Sequence, residues 1–264
     1  MGINRNLICA SKGVVRLMKY TVLGITIVVF LALDCMAMAQ APDPSIPSTI
    51  PKYADQLVIP PAMPKAPKKA IPSGMPKGID YYEIIVKQFA QQILPAGFPA
   101  TTVWSYGAAG NLAGTLNYPA FTIEAKTDKA VRVKWINGLV AANGNYLPHL
   151  LAVDPTLHWA NPPGGVGGRD MRPTFTSTPG PYTGPVPIIT HVHGAHTADD
   201  SDGFPEAWFL PAANNIPMSY ATEGTWYNHF KNQFAAKTGQ TWAPGTSVFQ
   251  YPNDQRPSTL WYHD

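Results

Sequence analysis

Alternation between hydrophobic and polar residues predicts β-strands in the central part of the chain. Residues 81–89 (YYEIIVKQF) are strand-like, and residues 121–127 (FTIEAKT) and 131–136 (VRVKWI) alternate with a period of two. A period of two places one face of a strand inward and the other in solvent. The short interval between the last two segments predicts a hairpin. Further strand candidates are residues 186–194, 246–252 and 258–264.

The frequency of glycine and proline supports an all-β fold. The 264 residues include 22 glycines and 28 prolines, and no helical pattern of ten or more residues stands out. Such a composition argues against long helices and favours short strands joined by turns. We therefore expect an antiparallel β-sandwich.

The N-terminus has the pattern of an export signal. Basic residues precede an apolar run at residues 21–33, and an Ala-x-Ala cleavage pattern follows at residues 37–39. This run is shorter than the roughly 20 residues that a membrane-spanning helix needs. We predict a signal peptide at residues 1–39 and a periplasmic or extracellular location without a stable membrane span after cleavage. A retained anchor, or a lipid on Cys35, is the alternative.

The predicted leader carries the net positive charge and the cysteines. Four of the 19 basic residues and one of the 16 acidic residues lie in residues 1–39, so the remainder has no formal net charge. No basic surplus indicates a nucleic-acid partner. Cys9 and Cys35 both precede the cleavage site, so the mature chain is expected to have no disulfide and no thiol ligand.

A proline-rich segment covers residues 40–78. Proline lacks the backbone N–H and fixes φ, which excludes a regular helix or a central strand. We expect either a free linker or an extended arm laid against the following domain, residues 79–264. The candidate contacts of such an arm are the hydrophobic residues Tyr53, Leu57, Val58 and Ile59.

Histidines at three positions indicate a metal site. His191 and His193 flank Val192 on a predicted strand, and residues at i and i+2 point to one face about 6–7 Å apart. Neutral imidazoles suit Cu, Zn, Ni or Fe, although ordinary surface histidines are the alternative. His263 lies on another predicted strand and could complete the site. Gly194 would let the chain turn close to a bound ion.

Several segments resemble one known family in order and spacing. Residues 191–194 (HVHG), 199–208 (DDSDGFPEAW) and 251–264 (YPNDQRPSTLWYHD) are similar to the first domain of multicopper oxidases, in the branch of bacterial spore-coat laccases and bilirubin oxidases. Residues 53–64, 81–107 and 121–139 also resemble this branch. The resemblance implies a cupredoxin-like Greek-key β-sandwich.

The family also implies a cofactor, substrates and residue roles. By resemblance, His191 would bind the type 2 copper of a trinuclear cluster, and His193 and His263 would bind type 3 coppers. Asp202 would be an acid beside the cluster that orients ligands or supplies protons to O2. The family oxidises phenols, bilirubin or metal ions and reduces O2 to water.

The sequence departs from the family pattern near its end. The second His-x-His motif stops at Asp264, and the last strand of the first domain, the second and third domains and the cysteine ligand of the type 1 copper are absent from these residues. Three hypotheses follow. The chain is the N-terminal part of an exported oxidase and inactive alone, or a standalone copper-binding module, or a truncated product without function.

The other candidate residues are expected to be structural. We expect Asp199 and Asp200 to lie in a solvated turn, and Glu206 and Trp208 to fix the loop by hydrogen bonding and packing. His196 is expected in a loop, and His149, His158 and His229 lack partners at ligand spacing. Trp135 and Trp261 are expected in the core.

Overall fold

The computed structural model describes residues 46–157 and 160–264. The described residues divide into two compact units, one of residues 46–54 and Pro95–Pro99 and the other of Asp55–Leu94 with the described residues from Ala100 to Asp264. The described part of the first unit contains the short 3-10 helix Pro47–Thr49. The predicted signal peptide, residues 1–39, lies outside the described residues.

Two β-sheets form the framework of the second unit. Its strands are β1 (Asp80–Gln91), β2 (Thr101–Ala108), β3 (Val131–Asn137), β4 (His191–His193), β5 (Thr246–Tyr251) and β6 (Trp261–His263). The larger sheet has the order β2-β1-β3-β5, and β4 pairs with β6 in the smaller one. All pairs are antiparallel except β1 with β3, which is parallel. The predicted all-β class is confirmed, but the expectation of purely antiparallel pairing is wrong.

Helices in the second unit are short, with one exception. The α-helices are α1 (Leu112–Thr115), α2 (Gly165–Gly168) and α3 (Tyr227–Thr238). The 3-10 helices are Lys68–Ala70, Pro162–Gly164, Asp199–Ser201 and Pro205–Ala207. Helix α3 contradicts the expectation that the chain has no helix of ten or more residues. Its buried residues are Tyr227, Phe230 and Phe234, a spacing of three and four that places them on one helical face.

The core lies between the larger sheet, helix α3 and the smaller sheet. Strand β3 buries Val131, Val133 and Trp135, as its alternation predicts. The intervening Arg132 was expected in solvent, but only 2% of it is exposed. Its guanidinium donates hydrogen bonds to the side-chain oxygens of Gln250 and Gln240, which satisfy a buried cation without a carboxylate partner.

The predicted hairpin between residues 121–127 and 131–136 does not form. Residues 121–127 make a single bridge, between Thr122 and Ala62, and form no strand. Strand β3 pairs instead with β1 and β5. The side chains of Phe121 and Ile123 still pack against the core, so the alternation correctly identified which residues point inward.

The proline-rich segment lies against the domain through residues other than those expected. Tyr53, Leu57, Val58 and Ile59 are all exposed. The contact is made by Met63, which is 3% exposed and whose N–H donates to the carbonyl of Thr122 at 2.7 Å. Met63 thus contacts the domain, whereas the four residues that were expected to make such contacts are exposed.

A cavity of about 1200 Å³ opens beside the smaller sheet in the second unit. Its wall includes Tyr106, Phe121 and Ile188 of the core, together with Val192 of β4 and Tyr262 of β6. Among the described residues, none of the helices is long and apolar enough to cross a membrane.

Candidate metal centre

The smaller sheet brings three histidines together. In the antiparallel pair of β4 and β6, His191 lies opposite His263 and His193 lies opposite Trp261. Opposite residues of an antiparallel pair share a face, as do residues at i and i+2. The ring centroids of the three histidines are 5.7 Å apart for His191–His193, 5.6 Å for His191–His263 and 5.7 Å for His193–His263. The predicted convergence of these side chains is therefore confirmed, and we call them the histidine triangle.

The opposite face of this sheet is anchored in the core. Val192 and Tyr262 pack against the core cluster. The ring of Tyr262 lies 5.4 Å from that of Tyr106 and 5.6 Å from that of Trp135, and its hydroxyl donates to the carbonyl of Phe121 at 2.6 Å. Because these contacts fix one face of the ribbon, the imidazoles on the other face are held in place.

Asp202 contacts the triangle at His191. The Nδ1 atom of His191 lies 2.5 Å from the backbone carbonyl of Asp202 and 3.5 Å from its carboxylate. A carbonyl oxygen only accepts, so Nδ1 carries the proton and donates this hydrogen bond. The Nε2 atom of His191 then has a free lone pair, which is the state that a metal ligand requires. The Asp202 side chain is 51% exposed, so its carboxylate also reaches solvent.

The donor set fits part of a metal site. The Nε2 atom of His263 is buried and has no hydrogen-bond partner among the described residues. A buried polar atom without a partner is costly, and a metal ion would satisfy an imidazole nitrogen. Among the described residues, no group of three or more His, Cys, Asp or Glu side chains is arranged so that it could hold a metal ion by itself. His193 is exposed.

An aromatic side chain borders the triangle. The indole of Trp261 lies 4.3 Å from the ring of His263 and stacks on His193 at 6.2 Å with an interplanar angle of 12°. The prediction that Trp261 lies in the core is wrong, since it is 66% exposed, whereas Trp135 is fully buried. The strand period could have shown this, because Trp261 shares the face of His263 rather than that of Tyr262.

The acids before Asp202 are structural. Asp200 is not in a solvated turn as expected: its side chain is 3% exposed and pairs with Lys237 of α3 at 2.6 Å. Asp199 is exposed and accepts a hydrogen bond from Gln233 at 2.7 Å. The sequence did not indicate these contacts, because both partners lie on a helix that was not predicted.

Other candidates lie outside the triangle. His196 is exposed in a loop, with Nδ1 at 3.3 Å from Asp254, which confirms the expectation. His149 lies between Trp104 and Tyr182, and burial lowers its pKa. His229 is exposed beside Trp226. His158 lies outside the described residues.

The loop that follows the triangle is fixed as predicted. Trp208 is 2% exposed, and its indole N–H donates to Asp170 at 2.6 Å. The backbone carbonyl of Glu206 accepts a hydrogen bond from the N–H of Trp226.

Fold and site together define a β-sandwich domain with a histidine cluster on the edge of its smaller sheet. No protein-family model matches the chain. It is 28% identical over 216 residues to a laccase from Bacillus subtilis (strain 168), covering 82% of this chain and 30% of that protein. It is 31% identical over 168 residues to multicopper oxidase LPR1 homolog 1 from Oryza sativa subsp. japonica, covering 63% of this chain and 20% of that protein.

A solved structure is also similar. A multi-copper oxidase from Pediococcus acidilactici aligns with a TM-score of 0.39 and 15% identity, over 81% of this chain and 26% of that chain. The names of these curated relatives support a member of the multicopper oxidase family, and the architecture fits a cupredoxin-like β-sandwich. It spans 30% or less of the length of the two curated relatives.

Proposed function

We propose that this chain supplies part of the copper site of an exported multicopper oxidase. The enzyme would couple one-electron oxidation of a phenol, bilirubin or metal ion to reduction of O2 to water. The histidine triangle carries the proposal: three imidazoles share one face at 5.6–5.7 Å, and one of them has a buried, unpartnered Nε2 among the described residues. The leader pattern at residues 1–39 supports export.

The histidines would hold copper in the roles that the resemblance implies. His191 would bind the type 2 copper, and His193 and His263 would bind type 3 coppers. Copper held there would provide redox chemistry, in which electrons taken from the reducing substrate are passed to O2. Three imidazoles do not saturate three metal ions, so the proposed cluster would need ligands in addition to these histidines.

The other residues of the site would orient ligands and move protons. The Asp202 carbonyl would keep the proton of His191 on Nδ1, which leaves the lone pair of Nε2 available to copper. The Asp202 carboxylate, half exposed and 3.5 Å from His191, would pass protons from solvent toward the reduced oxygen atoms. Val192 and Tyr262 would hold the ribbon against the core.

Copper binding by the 264-residue chain tests this proposal. We expect His191→Gln, His193→Gln and His263→Gln each to weaken Cu²⁺ binding, by an order of magnitude or more if each imidazole is a ligand. Isothermal titration and electron paramagnetic resonance measure the affinity and the number of bound nitrogen atoms.

His196→Gln is the matched control, because His196 is close in sequence but its imidazole faces Asp254. We expect this variant to bind copper as the unchanged chain does. Equal copper affinity in all four variants would overturn the ligand assignment.

A further inference from the structure

We propose that the ion pair between Lys237 and Asp200 is a positioning device that sets the orientation and tautomer of His191. The inference deepens the proposed copper site and rests on it. It assigns a role to helix α3, which contributes no residue to the histidine triangle. The link runs through the 3-10 helix Asp199–Ser201 and the residues that follow it.

The 3-10 helix is fastened to helix α3 by two side chains. Lys237 Nζ donates to the buried carboxylate of Asp200 at 2.6 Å, and Gln233 Nε2 donates to Asp199 at 2.7 Å. The Asp200 side chain is 3% exposed, so its carboxylate interacts with Lys237 rather than with water. Moving Lys237 would therefore release the carboxylate from its place.

The same 3-10 helix is also fastened to the larger sheet. Ser201 donates its hydroxyl to Asp200 at 2.9 Å, and its oxygen accepts the backbone N–H of Gln250 on β5 at 3.1 Å. The side-chain oxygen of Gln250 in turn accepts hydrogen bonds from the guanidinium of Arg132 on β3. Asp200 and Ser201 are thus held between a helix and two strands, which leaves the turn little freedom.

Residues 202 and 203, which follow this 3-10 helix, contact His191 directly. Asp202 follows Ser201, and its carbonyl accepts the Nδ1–H of His191. Gly203 comes next with φ of +82°, where a Cβ would lie 2.3 Å from the carbonyl oxygen of Thr190 and 3.1 Å from the Cα of His191. The backbone of residues 202–203 therefore rests on the strand that carries His191, with no room for a side chain between them.

Loss of the ion pair would move this carbonyl. With the Asp202 carbonyl displaced, the hydrogen bond that favours Nδ1 as the protonated nitrogen would be lost. The His191 ring would then populate both tautomers and turn more freely. In the Nε2–H tautomer the nitrogen that faces away from Asp202 has no lone pair for a metal.

Nitrogen NMR of the metal-free chain tests the inference without reference to copper. In ¹⁵N-histidine-labelled protein at about pH 8, where imidazoles are neutral, we expect His191 to show two well-separated ring nitrogen shifts, with Nδ1 protonated. In Lys237→Met these two shifts should move toward each other. Lys237→Arg keeps the charge and should restore the separation.

Lys231→Met is the matched control. Lys231 lies on the same helix but sits over the ring of Tyr227, and the change should leave the shifts of His191 unaltered. If Lys237→Met does not fold, Lys237→Gln provides the measurement, since it also removes the cation of the ion pair. A folded Lys237→Met or Lys237→Gln chain with unchanged His191 shifts would overturn the inference.

A copper titration separates this inference from the proposed function. We expect Lys237→Met to weaken Cu²⁺ binding by about tenfold or more, as is usual when a partner of a ligand histidine is removed. If the unchanged chain binds no copper while its His191 shifts respond to Lys237→Met, the proposed copper site fails and the positioning role stands. If copper affinity and shifts are both unaffected in Lys237→Met, the positioning role fails and the copper site stands.

Discussion

At the scale of single residues, His149 makes the stability of the chain depend on pH. Its ring lies 5.9 Å from the rings of both Trp104 and Tyr182, and burial lowers its pKa below the usual 6.5. The folded chain therefore binds fewer protons at this site than the unfolded chain. Its contribution to stability is complete above the unfolded pKa and is lost as the pH falls from about 6.5 through the lower pKa of the folded state.

Replacing this histidine tests that dependence. His149→Phe keeps an aromatic ring between Trp104 and Tyr182 but cannot be protonated. Urea unfolding at about pH 7.5 and about pH 5.5, on either side of the usual histidine pKa, should show a smaller loss of unfolding free energy in the variant than in the unchanged chain. Identical losses in the two proteins would contradict the assignment.

The sequence correctly predicts the position of side chains whose direction follows from the alternation along a strand. His191, His193 and His263 share a face because side chains alternate along a strand, and this follows from the backbone alone. The contact of Asp202 with His191 depends on a turn whose geometry no local pattern fixes. Its existence was predicted only through the family resemblance, and its hydrogen bond became apparent only in the structure.

At the scale of elements, periodicity predicted strands better than their partners. Strands β1, β3 and β5 lie where the pattern placed them, yet the hairpin expected before β3 is absent. Alternation indicates which side chains of a strand point inward, whereas the choice of neighbouring strand depends on contacts between residues distant in sequence. Helix α3 was missed because only Tyr227, Phe230 and Phe234 mark its buried face among mostly polar neighbours.

Met63 is the one buried side chain among the described residues of the proline-rich segment, 46–78. We expect Met63→Ala to lower the unfolding free energy by about 2–5 kcal/mol, because truncation of a buried side chain removes its transfer energy and leaves a cavity. Leu57→Ala in the same segment should have almost no effect, since Leu57 is 87% exposed. Chemical denaturation of the two variants measures the difference, and equal stabilities would show that the segment does not depend on Met63.

At the scale of the whole molecule, the candidate copper ligands are histidines, whereas the entry of electrons in such enzymes needs a different set of ligands. The histidine triangle faces outward on an open ribbon, and the relatives are more than three times as long as the part that matches. An electron-accepting type 1 copper requires a cysteine thiolate with two imidazoles. The only cysteines of the 264 residues are Cys9 and Cys35, both within the predicted leader.

We therefore expect the chain without residues 1–39 to bind copper but not to become intensely blue. Absorption spectra of the copper-loaded chain should lack the strong visible band of copper–thiolate bonding, while electron paramagnetic resonance shows Cu²⁺ bound by nitrogen. Oxidation of a phenol with consumption of O2 should also be absent, because residues 40–264 have no cysteine thiolate for a type 1 copper. His191→Gln should reduce the nitrogen-bound Cu²⁺ signal without changing the visible spectrum. An intense visible band from this cysteine-free chain would show that electrons enter by a site other than a type 1 copper, and the proposed division of the enzyme would then be wrong.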